Sequence, residues 1–393
     1  MILQAHVPPG ESRKTQVVGI DLLRFFAASA VMLFHLACTS WIIPSSEAMM
    51  LLDGKARFPD LLELAAVGWI GVPIFFTISG FVIAYSAEGA TPERFLRSRL
   101  LRLMPGVWIC ATITFLLALA FLPLSATALT LTYLRTLVLF PVPTWIDGVY
   151  WTLAIEIAFY AVVFTLLLLR AGHRLEIVMT VVGLISTVIW IAASTPWLPG
   201  LDVLASKRIA KLLLITHGCD FALGVFVWLM AFRGITRQRL VVSCLCGLGS
   251  LLQIAYDARA TEAELGIQTF NYVPELVFVG FLTLLAACLV LDRQLHAVVG
   301  QRGAAWIRTI GLATYPLYLL HTFVGVLAMR FALVFSLPPL ASLLFGMSTA
   351  CLAATAVATR VEPALRMWFG RIVDRTLAHL TRSFRAWRAA SQI

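Results

Sequence analysis

The sequence is short of charge. Only 13% of its 393 residues are Asp, Glu, Lys or Arg, against 60% hydrophobic, and the mean hydropathy is +0.91. A soluble domain could not hide that much apolar side chain, which excludes a water-soluble globular protein and leaves an all-α, polytopic integral membrane protein. Acidic residues are scarcer than basic ones, 20 against 30, giving a net charge of +10. The arginines fall in short segments between apolar runs, as the positive-inside rule expects, so no nucleic-acid partner is implied. Seven cysteines contain no C-x-x-C pair. Cys244 and Cys246, the closest two, point to different sides of a helix, so neither a disulfide nor a metal site is expected. The first apolar run is too long for a signal peptide and has no small-residue cleavage motif after it, so it should stay as a helix. Internal repeats and low-complexity segments are absent.

What is present is a series of about ten apolar spans, at about 19–41, 67–86, 105–123, 149–169, 176–195, 209–231, 239–256, 273–291, 309–331 and 338–359. Pro105 reads as the first residue of the third helix, where a missing N–H costs least. Alternating the loops places both termini in the cytoplasm. Residues 1–17 read as a cytoplasmic tail and 18–363 as the transmembrane domain. Residues 364–393 read as a basic amphipathic tail on anionic lipid, with Trp368, Phe369, Leu377, Phe384 and Trp387 among arginines. The outward loops 42–66, 124–148 and 257–272 carry no recognisable binding motif. Lys207, Arg208 and Lys211 break the charge rule on that side; they either snorkel or hold an anionic group.

Polar residues inside the spans are few, so each can be weighed. Asp21, Arg24 and His35 share the first span, and eleven residues separate Arg24 from His35. At about 100° per residue the two share a face, roughly 16 Å apart along the axis. A titratable group facing lipid costs several kcal/mol, so this face should look into a hydrated, protein-lined cavity. His35 fits a general base, or else a buried neutral histidine bonded to a carbonyl. Arg99 and Arg102, one turn apart, make a fork suited to phosphate, or anchor an inner loop. Thr152, Glu156 and Tyr160 lie on one face at i, i+4, i+8, and Glu156 either ties helices together or orients a catalytic histidine. Tyr315, Tyr318 and His321 run along one side of a later span, with His321 at a depth similar to His35. Two histidines at matching depth suggest two metals or a proton relay; no third ligand at metal spacing follows, and metal is set aside. Ser79 and Gly80 in FFTISGF allow close helix approach, and Ser79 lacks the strand-turn-helix elbow of a nucleophile. His217 and Asp220 either line the cavity or pack.

These blocks, in this order, resemble the membrane-bound acyltransferase-3 family. They are Asp21 with the R-x10-H of Arg24 and His35, FFTISGF, the R-x-x-R-x-x-P of Arg99, Arg102 and Pro105, WTLAIEIAFY, YPLYLLH at 315–321, and Glu362-Pro363. The resemblance runs from the first helix to Glu362 and is to the stand-alone type, without an SGNH esterase-like domain. It implies a multi-pass protein of a bacterial inner membrane that uses acyl-CoA, most simply acetyl-CoA, as a cytoplasmic donor. The acceptor is a hydroxyl, often on a surface or exported polysaccharide. On that implication His35, Glu156, Asp21 and His321 are the candidate catalytic residues, and Arg24, Arg99, Arg102 and Tyr315 hold the donor. The other readings are a proton-coupled transporter of a small anionic or sugar substrate and a structural component of a polysaccharide assembly complex. Matched broken helices in two inverted halves, the sign of a carrier, are not visible in the sequence.

Overall fold

The computed structural model describes residues 17–195, 200–268 and 270–390. The predicted tail 1–17 lies outside this except for Val17. Among the described residues there are helices and no strands, and nine helices are long and apolar enough to cross a membrane. We label the elements α1 (Val18–Ile42), α2 (Glu47–Leu52), α3 (Pro59–Ala87), α4 (Pro92–Phe121), α5 (Ala126–Leu137), α6 (Gly148–Leu168), α7 (Gly172–Ala193), α8 (Gly218–Arg233), α9 (Arg237–Leu265), α10 (Val273–Val290), α11 (Asp292–Val334) and α12 (Pro339–Leu377). Burial sorts them. In α3 and α11, 72% and 67% of the apolar window is buried by other helices, against 22% in α10, so α3 and α11 form the centre and α10 the rim. Exposed Leu116, Val181, Val188, Leu276, Leu284 and Leu352 on the outer helices form an apolar belt that only lipid can cover.

The sixth predicted span, 209–231, is the one that differs in kind. It breaks into Arg208–Leu212 and the 16-residue α8, and a separate short helix, Leu201–Ser206, precedes it. Leu214 turns to a positive φ of 58°, and the Thr216 carbonyl freed at the break accepts from Trp190 Nε1 at 2.9 Å and Ser186 Oγ at 3.3 Å on α7. A helix can break at membrane depth when neighbours satisfy the backbone in this way. The odd cations of this segment are used locally. Arg208 donates to the carbonyls of Pro141 (2.7 Å) and Trp151 (3.1 Å) and lies over Trp145, while Lys211 lies over Trp151 at 4.6 Å.

The expected start of the third helix at Pro105 is corrected. α4 begins at Pro92, where Thr91 caps the Arg94 N–H at 3.2 Å, and it passes straight through Pro105. Proline cannot bond the carbonyl four residues back. That carbonyl, on Leu101, accepts instead from Arg366 Nε of α12 at 3.0 Å. α12 itself continues helically to Ala390. Arg97 and Asp374 (2.5 and 2.9 Å) and the Trp108–Phe369 ring pair dock its extension onto α4. The side chains of Phe384 and Trp387, assigned to the lipid-facing tail, lie outside the described residues.

The SGF stretch packs as its small residues suggest. A Cβ on Gly80 would collide with the Phe221 carbonyl of α8, and one on Gly224 with the Thr77 carbonyl of α3. The two backbones therefore touch.

Candidate active site

A cavity of about 730 Å³ opens between α1, α3, α4, α6, α11 and α12. Seven arginines line it: Arg24, Arg94, Arg97, Arg99, Arg102, Arg308 and Arg366. Glu156 is the one carboxylate on the same wall. Arg97 and Arg366 are committed to Asp374 and Glu362. Arg99 and Arg102 are held by rings instead. Arg99 lies 5.7 Å from the Phe95 and Tyr160 centroids, and Arg102 lies 5.4 Å from Tyr315. Neither forms a salt bridge among the described residues, and Arg99 Nε is buried without a partner. A guanidinium held by an aromatic face keeps its fork free, which suits it to a polyanion such as phosphate.

Deeper in the cavity, Glu156 Oε1 accepts from Ser79 Oγ and Tyr160 OH, both at 2.5 Å. The i, i+4, i+8 face predicted on α6 exists, with Thr152, Glu156 and Tyr160 all lining the cavity. Glu156 thus ties α6 to α3 and presents its charge to the arginines, and its bonds go to hydroxyls rather than to a histidine. Arg24 lines the same space within electrostatic reach of Asp21, Glu156 and Arg102. Asp21 itself packs on α11, where a Cβ at Gly311 would stand 2.6 Å from its Oδ1. Tyr315 donates to the Leu103 carbonyl at 3.2 Å, and Gly106 makes room for its ring.

His35 and His321 meet, with ring centroids 5.0 Å apart. They are absent from the cavity lining. Tyr318 stands between: it lines the cavity, accepts from Thr152 at 3.1 Å, and its ring lies 6.0 Å from that of His321. The cavity expected to hold both histidines therefore stops short of them, with Tyr318 on the wall between. His321 Nδ1 lies 3.2 Å from the Leu317 carbonyl and 2.9 Å from that of Tyr318. Carbonyls only accept, so Nδ1 carries the proton and Nε2 keeps its lone pair. That Nε2 is buried and unpartnered, the form a general base needs. On His35, Nδ1 is 3.4 Å from Thr39 Oγ1, whose own proton goes to the His35 carbonyl at 3.1 Å. Each histidine also opens a five-residue π-helical segment, His35–Thr39 and His321–Gly325. π turns are uncommon and gather at functional sites, and hydropathy patterning carries no trace of them.

A model of the acyltransferase-3 family, described as an acyltransferase domain, matches residues 17–359. The chain belongs to that family. No curated protein and no solved structure matches it significantly. The acyltransferase's family span covers the cavity and both histidines, and it ends before Arg366.

Three features of this site escaped the sequence. Arg94, Arg97, Arg308 and Arg366 join the cavity although only Arg24, Arg99 and Arg102 were singled out among its arginines. Tyr318 is a partition. Glu47 and Asp147, from two loops without a motif, come together across a short gap. His217 and Asp220, in contrast, pair with each other at 3.1 Å behind Phe76, outside the cavity lining. Among the described residues no group of three His, Cys, Asp or Glu side chains is placed to hold a metal.

Proposed function

We propose that this membrane acyltransferase is an O-acyltransferase. It moves an acyl group, most simply acetyl, from acyl-CoA to a hydroxyl of a cell-surface or exported polysaccharide at a bacterial inner membrane. The observation that carries the reading is seven arginines converging on one cavity whose far end abuts a histidine pair. A CoA donor carries several negative charges at its nucleotide end and none at its thioester. A basic mouth with Arg99 and Arg102 fits the former. A deep wall of Thr152, Phe75 and Tyr318 fits the latter. The arginine side then faces the cytoplasm, where the positive-inside rule puts it.

In the reaction a histidine Nε2 takes the proton of the acceptor hydroxyl. The oxygen attacks the thioester carbon, the carbon–sulfur bond breaks, and the proton passes to the leaving thiolate. Arg24, beside Glu156 and Asp21, steadies the thioester end. The test is direct: purified protein incubated with labelled acetyl-CoA, scored for thiol release and for label in extracted glycan. A His35→Ala protein that folds and transfers at the full rate would remove His35 from the mechanism.

A further inference from the structure

Opposite the arginine mouth, beyond Tyr318, the protein buries polar atoms that nothing in the fold uses. Asp147 is 1% exposed; its Oδ1 caps the start of α6 by accepting the Val149 N–H at 3.1 Å, while its Oδ2 has no partner. Tyr150 OH, Thr322 Oγ1 and His321 Nε2 are likewise buried and unpartnered. Thr322 lies beside Asp147 without closing a hydrogen bond to it. Glu47, on the first turn of α2, faces the same point: a Cβ on Gly148 would stand 3.8 Å from its Oε2. Buried polar atoms left unpaired cost about 1–3 kcal/mol each, so such atoms on Asp147, on its neighbours Thr322 and Tyr150, and on His321 next to Thr322 in the chain mark a place built for a polar occupant.

The atoms say which kind. The two hydroxyls and the protonated Asp147 carboxyl can donate, while the imidazole nitrogen and the hydroxyl and carboxyl oxygens can accept. An anion would use only the donors, and a metal ion only the acceptors. A hydroxyl group donates and accepts at once, and adjacent hydroxyls satisfy the whole set. Burial and the neighbouring Glu47 push the Asp147 carboxyl up to about 8, which keeps the pair short of full charge and disfavours a cation.

We propose that Asp147, Glu47, Tyr150 and Thr322, with His321 Nε2, form the seat of a neutral polyhydroxyl acceptor, a sugar residue of a glycan. The proposal rests on the acyltransferase reading for its direction: the seated hydroxyl is presented to the unprotonated His321 nitrogen while the donor waits across Tyr318. Asp147 holds the acceptor and does not itself move the proton.

The test uses the detergent-solubilised full chain and a panel of methyl glycosides of glucose, galactose and mannose, with glycerol. Thermal unfolding is followed with and without each probe, and acyl-CoA binding is measured separately. At least one glycoside should stabilise the wild type saturably. Asp147→Ala and Thr322→Val should each need tenfold or more of the same glycoside while binding acyl-CoA as the wild type does. Where transfer to the glycoside is measurable, its KM should rise with little change in kcat. Thr322→Val removes only an unpartnered hydroxyl, so it carries the test if Asp147→Ala fails to fold. Variants that respond to glycoside like the wild type overturn the proposal. A wild type unmoved by every probe, or a parallel loss of acyl-CoA affinity, overturns it equally. Glycoside binding that depends on Asp147 in a protein that binds no acyl-CoA would keep this seat and remove the acyltransferase donor assignment instead.

Discussion

Removal of Arg102 is the perturbation that most directly probes the donor side. Its guanidinium is half-buried, stacked over Tyr315 at 5.4 Å and free of any salt bridge among the described residues. A phosphate oxygen 4 Å from it is worth about 4 kcal/mol at an effective dielectric of about 20. Arg24 and Arg99 remain in the same cavity and recover part of that, so the net loss on Arg102→Ala should be near that of a charge-assisted hydrogen bond, about 2 kcal/mol. Two kcal/mol is roughly a 30-fold rise in Kd. Arg102→Lys keeps the charge but loses the planar fork and part of the stack, and should cost less, roughly threefold to tenfold. Arg170→Ala changes net charge by the same amount on an exposed turn outside the cavity and serves as the control for the long-range field. Acyl-CoA binding to purified protein, by calorimetry or filter retention at low and high salt, reads all three. Wild-type affinity in Arg102→Ala, or an equal loss in Arg170→Ala, would refute the argument that this guanidinium contacts the donor.

Glu156→Gln keeps an oxygen where Ser79 and Tyr160 donate and removes only the charge, so unfolding should be unchanged while transfer falls tenfold or more; a matching loss of stability would make Glu156 a brace alone. Gly80→Val drives a side chain into the α8 backbone, and overpacking of this kind costs about 1–3 kcal/mol or more, read as lower yield and earlier aggregation on fluorescence-detected size exclusion. Arg366→Ala strips a partner from the buried Glu362 and from the Leu101 carbonyl together and should lower the unfolding temperature, whereas restoring a backbone donor with Pro105→Ala in that background should recover part of the loss. The Asp147 carboxyl, raised to about 8 by burial and by Glu47, stays protonated in the fold over a range where the unfolded chain has ionised. The folded state then binds the extra proton, so stability falls as pH rises from the ordinary carboxylate range to about 8. Asp147→Asn should flatten that slope, and an identical pH dependence of unfolding in the variant would contradict it.

The architecture was legible because lipid enforces it. A span must be long, apolar and helical, and those demands are written as runs of Leu, Ile, Val and Phe that any window can find. The cavity was half legible for a related reason. An ionisable residue in an apolar run has to face protein, so Arg24, Glu156, His35 and His321 announced an interior, and the i+4 spacing of Thr152, Glu156 and Tyr160 announced which face. Whether two such groups share one space is a different kind of fact. It depends on what stands between them, and the partition is Tyr318, a residue whose composition and spacing match those of Tyr315 three positions earlier. The start of α4 was misread because Pro105 obeys the local rule for a helix start; only a residue 261 positions away, Arg366, lets it sit in the interior instead. The same reasoning explains the silence of the loops around Glu47 and Asp147. Each contributes one carboxyl group, and one carboxyl in a polar loop is unremarkable. Their chemistry exists only as a distance, which is set by α2 and α6 folding against α11, and so it belongs to the tertiary structure before it belongs to any motif.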